Sequence, residues 1–428
     1  MTASLRSRSV LLVAALGCLP LLGQAPQQAH EASQGTVIEI DQLVKELIAN
    51  NPAIRAAQYR LDAATKRPSQ VSSLPEPKLS FGNFGVGHPF SRLRDSNFAY
   101  AGVGFSQEIP YPGKLALAGE EARKEAQAER EMYGALVLDA TAQLKVAYYE
   151  WFGVVKAIEV TQKNRELLQR LEQIARARYT VGRGIQQDVL KAQVEESSLA
   201  QQLELLAQRK ATTEARIQSL LNSERPLGRP ADVRLSPLSM GLDQMLAALD
   251  EQSPRLRNKQ AMLDSRSVGI ERSKKEYRPD FAVSFQYQKT GSPFPDYYMA
   301  VAEVKIPLYF WRKQRVGVEE SVARFREARE DFFSERQELV FQVKDLYLTA
   351  STSERLLALY RDGIIPQSSL SLESALAGYE TGGVDFLTLT NNFMSVLTYE
   401  MKYYEELAKH NQALARLEAI TGMTLIRP

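Results

Sequence analysis

The fold is decided by two stretches, QEIPYPGKL at residues 107–115 and VKIPLYFWRK at residues 304–313. In each, an Ile-Pro pair stands beside aromatic residues, and a long segment rich in helix-forming residues follows. The pairs Ile109-Pro110 and Ile306-Pro307 lie 197 residues apart. Proline cannot continue a strand ladder because it lacks an N–H, and it is tolerated where a helix begins. Each pair therefore predicts a junction where a strand ends and a helix begins.

Other landmarks recur at nearly the same interval. Asn51-Pro52 matches Ser253-Pro254 at a distance of 202 residues, and Gly182 matches Gly382 at 200. Ordered matches of this kind indicate a duplicated unit of about 200 residues, with small differences in spacing taken up in loops. We therefore predict two repeats joined by a Pro/Gly-rich linker: repeat 1 at 36–223, the linker at 224–239 and repeat 2 at 240–428.

Each repeat predicts a helix, a β-hairpin, a long helix and a return helix. The long segments are rich in Ala, Leu, Glu, Lys and Arg and nearly free of proline, which favours helices. The long helix of repeat 1 would measure about 100 Å, and the two shorter helices placed end to end would have about the same length. The predicted elements are a helix at 41–74, a hairpin at 78–110, a long helix at 113–179 and a return helix at 185–222, and in repeat 2 the corresponding elements at 242–276, 280–307, 308–378 and 385–423.

The predicted hairpins carry a period-two pattern. Phe281, Val283, Phe285 and Tyr287 alternate with small or polar residues, while glycines interrupt the alternation in the hairpin 78–110. An apolar face opposite a polar face suits a membrane strand with lipid on one side and water on the other. A soluble, half-buried hairpin has the same local pattern, so both interpretations stand at this point.

The two junctions combine strand-ending and helix-starting residues. Aromatic residues at 309–311 followed by Arg312 and Lys313 are typical of a membrane interface. An aromatic cluster packed under a loop would have the same composition. The junction residues that we single out are Ile109, Pro110 and Gly113 in repeat 1 and Ile306, Pro307 and Trp311 in repeat 2.

The composition argues against several classes of function. The chain has 428 residues, 53 Lys and Arg against 51 Asp and Glu, 3 His and one cysteine. A net charge of +2 provides no basic surplus for a nucleic-acid partner. One cysteine excludes an internal disulfide and a cysteine metal cage, and no nucleophile–base set or phosphate loop is evident in the sequence. We therefore predict neither an enzyme nor a cofactor or metal site.

The N-terminus predicts export. Arg6 and Arg8 precede the apolar run VLLVAALGCLPLL at 10–22, and a polar stretch follows. This order is typical of a secretory signal peptide, which we place at 1–25. Cys18 is a candidate lipidation site, because the residues before it resemble the box that precedes a lipidated cysteine in bacterial lipoproteins. No other apolar run reaches the ~18 residues that a transmembrane helix needs.

Taken in order, these motifs resemble those of the outer-membrane efflux protein family typified by TolC. The resemblance covers essentially the whole chain after the signal peptide. It rests on the Asn51-Pro52 turn, on QEIPYPGKL, on YTVG…DVLKAQ within 179–193, and on IIPQSSLSLESALAGYETGGVDFL at 364–387. QEIPYPGKL is most similar to branches of the family associated with heavy-metal efflux.

The resemblance implies a fold and a function. The fold would be mostly α-helical, with a small twelve-stranded membrane β-barrel formed by a homotrimer and continuous with a long α-helical tunnel across the periplasm. The protein would lie in the outer membrane, in contact with its lipid. It would conduct substrate passively in a tripartite efflux or type I secretion system, after docking to a periplasmic adaptor and an inner-membrane pump of the RND or ABC type. No cofactor is implied.

The resemblance also implies site residues at the two far turns, here called tip 1 and tip 2. The adaptor-docking residues would be Val181, Gly182 and Arg183 in tip 1 and Thr381, Gly382 and Gly383 in tip 2. The pore-entrance candidates are Asp385, Asp188 as its counterpart in repeat 1, and Thr388, which replaces a family acid. An acid in the first turn of a helix also simply complements the macrodipole. Because five residues separate Gly182 from Asp188 and two separate Gly382 from Asp385, we expect the tips to differ in shape.

Two further questions stay open in the sequence. Pro366 interrupts the second long helix, where it predicts a kink that serves either as a mobile gate or as an accommodation of the tunnel's waist. A different class of protein, a periplasmic coiled-coil structural or adaptor protein without a pore, also explains the helices and the signal peptide. It does not explain two strand pairs placed beside interfacial aromatic residues.

Overall fold

A computed structural model describes residues 37–85, 93 and 97–425. The predicted signal peptide 1–25 and Cys18 lie outside the described residues. The helices are α1 Ile40–Asn50, α2 Pro52–Ser72, α3 Lys114–Thr180, α4 Gln186–Leu221, α5 Leu242–Gln252, α6 Pro254–Lys275, α7 Gln314–Leu359, α8 Ile365–Thr381 and α9 Phe386–Thr421, with a π-helical turn at Tyr360–Ile364. The strands are β1 Val37–Ile38, β2 Lys78–Phe84, β3 Tyr100–Ile109, β4 Arg229–Pro230, β5 Asp280–Thr290 and β6 Tyr297–Lys305.

The helices form a layer with a small sheet at one end. Near the sheet they pack side by side in the order α2, α3, α6, α7. In the other half, α9 packs between α3 and the α7–α8 rod, and α4 packs on the opposite side of α3. The sheet is antiparallel, in the order β2-β3-β5-β6. The short parallel pair β1–β4 ties the N-terminal segment to the linker.

The shorter helices stack end to end beside the long ones. At the meeting point of α4 and α2, Asn51 Oδ1 accepts the N–H groups of Ala53 at 2.9 Å and Ile54 at 3.2 Å, and its Nδ2 donates to the Leu220 carbonyl at 2.7 Å. In repeat 2, Gly422 ends α9 at φ +76°, and a Cβ there would lie 3.0 Å from the Gln252 carbonyl oxygen. The stacking that the helix lengths predict is thus made by direct contact between helix ends.

Two predicted single helices are each divided in the structure. The segments predicted at 41–74 and 242–276 break at Asn51 and Ser253, whose ψ angles of 121° and 118° are extended. The proline that follows each residue disfavours helical backbone before it and then starts the next helix. The sequence alone therefore contained the cause of both breaks.

The second long helix also differs from its prediction over 308–378. It begins only at Gln314, because residues 308–313 form turns, and it is interrupted by the π-helical turn directly before Pro366. In this turn the Ile365 N–H donates to the Tyr360 carbonyl, five residues back. The wider turn accommodates a proline ring that would clash with the carbonyl four residues earlier in a regular helix.

Three large apolar clusters and a small one, formed by Phe152, Leu357 and Leu407, hold the described helices together. The first packs α1 and the end of α4 on α3, around Tyr148 and Trp151. The second joins α3, α4, α8 and α9 towards the tips. The third packs α5 on α7 and α9. The small helices α1 and α5 therefore belong to the helical layer.

Two buried polar side chains fasten the linker to this layer. Tyr148 Oη donates to the Ile38 carbonyl at 2.8 Å and accepts the Ala231 N–H at 2.9 Å, and burial raises the pKa of Tyr148 to about 12. The ring nitrogens of the fully buried His410 lie 2.9 Å from the Ala350 carbonyl oxygen and 2.7 Å from that of Ser236. The linker thus contacts α3 through Tyr148 and α9 through His410, and His410 in turn contacts α7.

In the part of the chain that the structure describes, no helix combines the length and the apolar character needed to cross a membrane.

Candidate functional site

One face of the four-stranded sheet is apolar and exposed. The register pairs Phe105 with Phe285 and Val103 with Tyr287. The neighbouring strands continue this face, because Leu79 lies opposite Phe105 and Val304 lies opposite Phe281. The exposed side chains of this apolar face are Leu79, Phe81, Val103, Phe105, Ile109, Phe281, Val283, Phe285, Tyr287, Tyr298 and Val304. A face of this composition suits contact with lipid.

The opposite face is small and polar along most of β3 and β5, and its outer strands and turn ends also carry Phe84, Tyr100, Tyr297 and Met299. Gly104 lies opposite Ser80 and Gln286, and Gly102 lies opposite Gln288. A Cβ at Gly104 would lie 2.5 Å from Ser80 Oγ, and one at Gly102 would lie 2.8 Å from the Tyr287 carbonyl oxygen. Gly102 and Gly104 therefore stand where the neighbouring strands leave no room for a side chain, whereas a Cβ on Gly82 would meet nothing within 4 Å.

The first junction is fastened to repeat 2 by an ion pair. After Pro110, Gly113 takes a left-handed φ of +95° and α3 begins with Lys114. Lys114 Nζ, which is almost fully buried, lies 3.0 Å from Asp280 Oδ2 and 3.3 Å from Glu276 Oε2. The Tyr111 N–H also donates to Asp280, at 2.9 Å. Sequence reasoning missed Lys114 and its partners, because a lysine after glycine carries no local sign of burial.

The second junction presents its aromatic residues to the surface. Ile306, Tyr309, Phe310 and Trp311 are all more than half exposed, and the Trp311 ring centre lies 5.1 Å from that of Phe310. Pro307 is half-buried, as Pro110 is. In the single chain, these aromatic residues form an exposed cluster and are not packed under a loop.

The two tips have the same backbone. Gly182 at φ +72° and Gly382 at φ +86° donate their N–H groups to the carbonyls of Tyr179 and Tyr379 at 3.0 and 3.1 Å. The next residues, Arg183 and Gly383, donate to the carbonyls five residues back, both at 2.8 Å. This is the Schellman arrangement, in which a left-handed glycine ends a helix. The exposed Val181 and the terminal α8 residue Thr381 precede these glycines.

The expectation that the tips differ in shape is therefore wrong for the backbone, although their side chains differ, as at Arg183 and Gly383. The N-caps of the two return helices are Ile185 and Asp385, each three residues after its left-handed glycine. Asp188 lies one turn into α4, where Thr388 stands in α9. The spacing of 200 residues thus holds through the tips, and Asp188 is the counterpart of Thr388. Matching Asp188 to Asp385 by residue type had placed the two return helices three residues out of register.

Asp385 caps its own helix. Its Oδ1 accepts the Thr388 N–H at 2.7 Å, and hydrogen bonds from Thr388 lower the pKa of Asp385. Both side chains are exposed. The carboxylate therefore stays charged at the surface of tip 2, as a pore-entrance role requires, while its cap role accounts for its position.

Asp188 instead joins the two tips. It accepts a hydrogen bond from Tyr379 Oη at 3.2 Å. Tyr379 is 3% exposed, and the Arg178 guanidinium lies 4.6 Å from its ring centre. Burial and the nearby Asp188 raise the pKa of Tyr379 to about 12. Arg178 also donates to the Arg183 carbonyl at 3.3 Å. Sequence reasoning missed Arg178 and Tyr379, since matching Tyr179 to Tyr379 does not show that only the latter is buried.

No group of three or more His, Cys, Asp and Glu side chains among the described residues is placed to hold a metal ion.

A helical layer that runs from a two-faced sheet to two helix–turn–helix tips has the architecture of an outer-membrane channel subunit. Residues 43–223 and 246–423 match the family model described as outer membrane efflux protein. The chain belongs to this family, whose members are channels of the outer membrane and not enzymes. It is accordingly a protein of the outer membrane that extends into the periplasm.

Solved structures share its fold over most of their length. The outer-membrane channel OprN is 16% identical, with 90% of this chain and 89% of that chain covered at a TM-score of 0.76. CusC is 14% identical, with coverages of 91% and 95% and a TM-score of 0.78. VceC from Vibrio cholerae is 15% identical, with coverages of 90% and 97% and a TM-score of 0.75. A comparison with curated proteins found no match. The TolC-like fold predicted from the sequence is confirmed.

Proposed function

We propose that this chain is the outer-membrane exit duct of a tripartite efflux or type I secretion system. The observation that supports the proposal is the two-faced sheet, apolar on one side and mainly small or polar in its central strands β3 and β5 on the other, continuous with rods that end in tips. A wall of this kind separates lipid from water at one end and reaches across the periplasm at the other.

The duct requires three copies of the chain. Four strands are too few to close a barrel around a pore, whereas twelve leave a lumen. β2 and β6 are the open edges of the sheet, so one copy can pair with the next through strand edges. A homotrimer closes the ring without leaving an unpaired edge in the lipid.

The tips are the proposed docking end. Val181, Gly182 and Arg183, with Thr381, Gly382 and Gly383, lie at the end of the rods opposite the sheet. A periplasmic adaptor would bind there and connect the duct to an inner-membrane pump of the RND or ABC type. The pump would supply the energy and most of the selectivity. The likeness of QEIPYPGKL to heavy-metal efflux branches favours a metal ion over a drug or a secreted protein as the cargo.

The test is the mass of the native particle. The protein is extracted from the outer-membrane fraction in mild detergent, and its mass is measured by light scattering corrected for bound detergent. Three chains that need detergent support the duct, and single-channel conductance in a planar bilayer is then measured. A monomer or dimer released by salt alone would refute it in favour of a periplasmic rod without a pore.

A further inference from the structure

The face of the sheet that carries the β3 glycines, here called the polar face, changes in character from its helical end to its turn end. We propose that the four large side chains at its turn end bind organic molecules with a flat aromatic body as they leave the duct. These residues, here called the turn-end band, are Phe84, Tyr100, Tyr297 and Met299. The inference rests on the proposed duct and names a class of cargo that the motif at 107–115 does not indicate.

The strand register places Phe84 and Tyr100 on the polar face. The two residues are paired between β2 and β3, and Tyr100 comes two residues before Gly102. Because side chains alternate between the faces along a strand, Tyr100 shares the face of Gly102, and Phe84 shares it as the partner of Tyr100. The two rings are stacked, with centres 5.7 Å apart and planes at 17°, and Phe84 is 52% exposed.

Tyr297 and Met299 belong to the same face on the other side of the sheet. Met299 is paired with Gln286 and Tyr297 with Gln288, and these two glutamines lie opposite the glycines of β3. Both side chains are nearly half exposed. Both edge strands thus carry large apolar side chains near the turns, on the face that contact with lipid does not explain.

The charged residues of the polar face lie at its helical end. Lys78 Nζ lies 2.6 Å from Glu108 Oε1 close to the helices. Asp280 is paired with Lys305 in the register of β5 and β6. From the row of Lys78 and Ser106 towards the turns, the remaining described strand residues of this face are uncharged. The face therefore passes from charged residues through mainly glycine, serine and glutamine to the turn-end band.

The place of the band in the duct indicates which molecules contact it. In the proposed duct the apolar face meets lipid and the polar face meets the lumen, so the turn-end band meets water and exported molecules. Three copies would repeat the band around the lumen at the end farthest from the tips. Large apolar side chains gathered on a surface that faces water are typical of a binding site, whereas scattered ones are not.

The side chains of the band favour flat apolar ligands. Aromatic rings stack on other rings, and the thioether of Met299 makes favourable contacts with ring edges. Each ring contact strengthens binding by about 2- to 12-fold. A small hydrated ion offers no flat surface of this kind, so it should pass the band without being held.

The band is tested by single-channel recording of the full-length protein in planar bilayers. Ethidium is the flat aromatic cation, and tetramethylammonium carries the same charge without a ring. Ethidium added on the side of the strand turns should interrupt the current in events that last longer than any caused by tetramethylammonium. Phe84→Ser and Tyr297→Ser should each shorten the ethidium events by about 2- to 12-fold. Ethidium events of wild-type length in both serine variants overturn the proposal.

The matched control is Tyr298, the neighbour of Tyr297 on the other face, where its ring stacks on that of Phe285. Tyr298→Ser should leave the ethidium events unchanged, and so should Phe84→Tyr, which keeps a ring in the band. Conduction of tetramethylammonium shows that each variant has assembled. If a serine variant does not conduct, the corresponding leucine variant removes the ring and keeps an apolar side chain. Equal shortening by Tyr298→Ser and Tyr297→Ser also overturns the proposal.

These outcomes are separable from failure of the proposed function. A wild-type protein that forms no channel removes both proposals. A wild-type channel that conducts tetramethylammonium but shows no ethidium events removes only the binding role of the turn-end band.

Discussion

Asn51 joins two helices through one side-chain amide. Its oxygen caps the start of α2, and its nitrogen satisfies the Leu220 carbonyl at the end of α4. Replacing it with alanine removes the cap and leaves a buried carbonyl unpaired. We expect Asn51→Ala to lower the free energy of unfolding by about 2 kcal/mol, measured by thermal denaturation followed by circular dichroism.

The matched control is Ser253, the counterpart of Asn51 in repeat 2. Ser253 Oγ is buried and makes no hydrogen bond within the described residues. Ser253→Ala should therefore change stability by less than about 0.5 kcal/mol. If both variants lose the same stability, the Asn51 hydrogen bonds are not what joins the helices.

Tyr379 holds the two tips together through Asp188. Tyr379→Phe keeps the ring on Arg178 and removes only the hydroxyl, which weakens the contact by about 1–2 kcal/mol. The arrangement in which the two tips are in contact should then be less populated, and single-channel conductance should increase if the tips narrow the proposed pore. Tyr179→Phe is the control, because Tyr179 is the exposed counterpart in repeat 1. Equal conductance in the two variants would contradict a role for this bond in closing the tips.

Asp385 combines a helix cap with a surface charge. Asp385→Asn keeps the cap and removes the charge, whereas Asp385→Ala removes both. If three such carboxylates surround the pore entrance, Asp385→Asn should raise conductance or weaken block by multivalent cations. Wild-type values of both in the Asn variant would exclude the charged ring.

The pH dependence of this cap has a defined sign. The pKa of Asp385 is lowered in the folded chain by hydrogen bonds from Thr388. The stabilisation is therefore present above the unfolded pKa and is lost as pH falls through the folded pKa. Asp385→Asn should remove this acid-dependent loss, as measured by melting temperature at decreasing pH.

At the scale of elements, the two tips have the same backbone but place a glycine at different positions of one contact. In tip 2, a Cβ on Gly378 would lie 2.5 Å from Val384 Cγ2. In tip 1, where Arg178 replaces that glycine, a Cβ on Gly184 would lie 3.1 Å from Arg178 Cβ. At this contact each tip thus has room for only one side chain, that of Val384 in tip 2 and that of Arg178 in tip 1.

This exchange predicts a rescue. Gly378→Ala should destabilise tip 2 by about 1–3 kcal/mol through overpacking, even though alanine favours helices. Adding Val384→Gly reproduces the small residue of tip 1 and should recover most of the loss. Hydrogen exchange of the α8 and α9 amides next to tip 2 measures both effects. A double variant no better than Gly378→Ala would contradict the packing account.

The breaks between elements were only partly readable from the sequence. The prolines after Asn51 and Ser253 carry enough local information to divide the helices there. Pro366 predicts an interruption of the helix. Whether that interruption is a kink or a wider helical turn depends on the helices packed beside it. The structure places a π-helical turn before it, packed on α9.

At the scale of the whole molecule, the buried Lys114 is one of the contacts that join the two repeats. Lys114→Met keeps the apolar length of the side chain and leaves Asp280 and Glu276 without their cation. We expect a loss of about 2 kcal/mol, because carboxylates in a partly buried site lose a charged partner. Lys124→Met is the control, since its contact with Asp264 at 3.4 Å is more exposed and should contribute under about 1 kcal/mol. Similar melting temperatures for the two variants would contradict the role of this contact.

The sequence by itself determined the duplication, the long rods, the strand-to-helix junctions and the family. These features repeat along the chain or follow from local period and from proline, so no contact between distant residues is needed to find them. Only the tertiary structure decided that Asp188 bonds to Tyr379, that Ile185 is the counterpart of Asp385, and that Lys114 is buried against Asp280. The first and third depend on which side chains meet across elements 160 or more residues apart, and the second depends on where each return helix begins. The local sequence pattern does not predict such contacts, because burial and side-chain pairing are set by how the repeats pack.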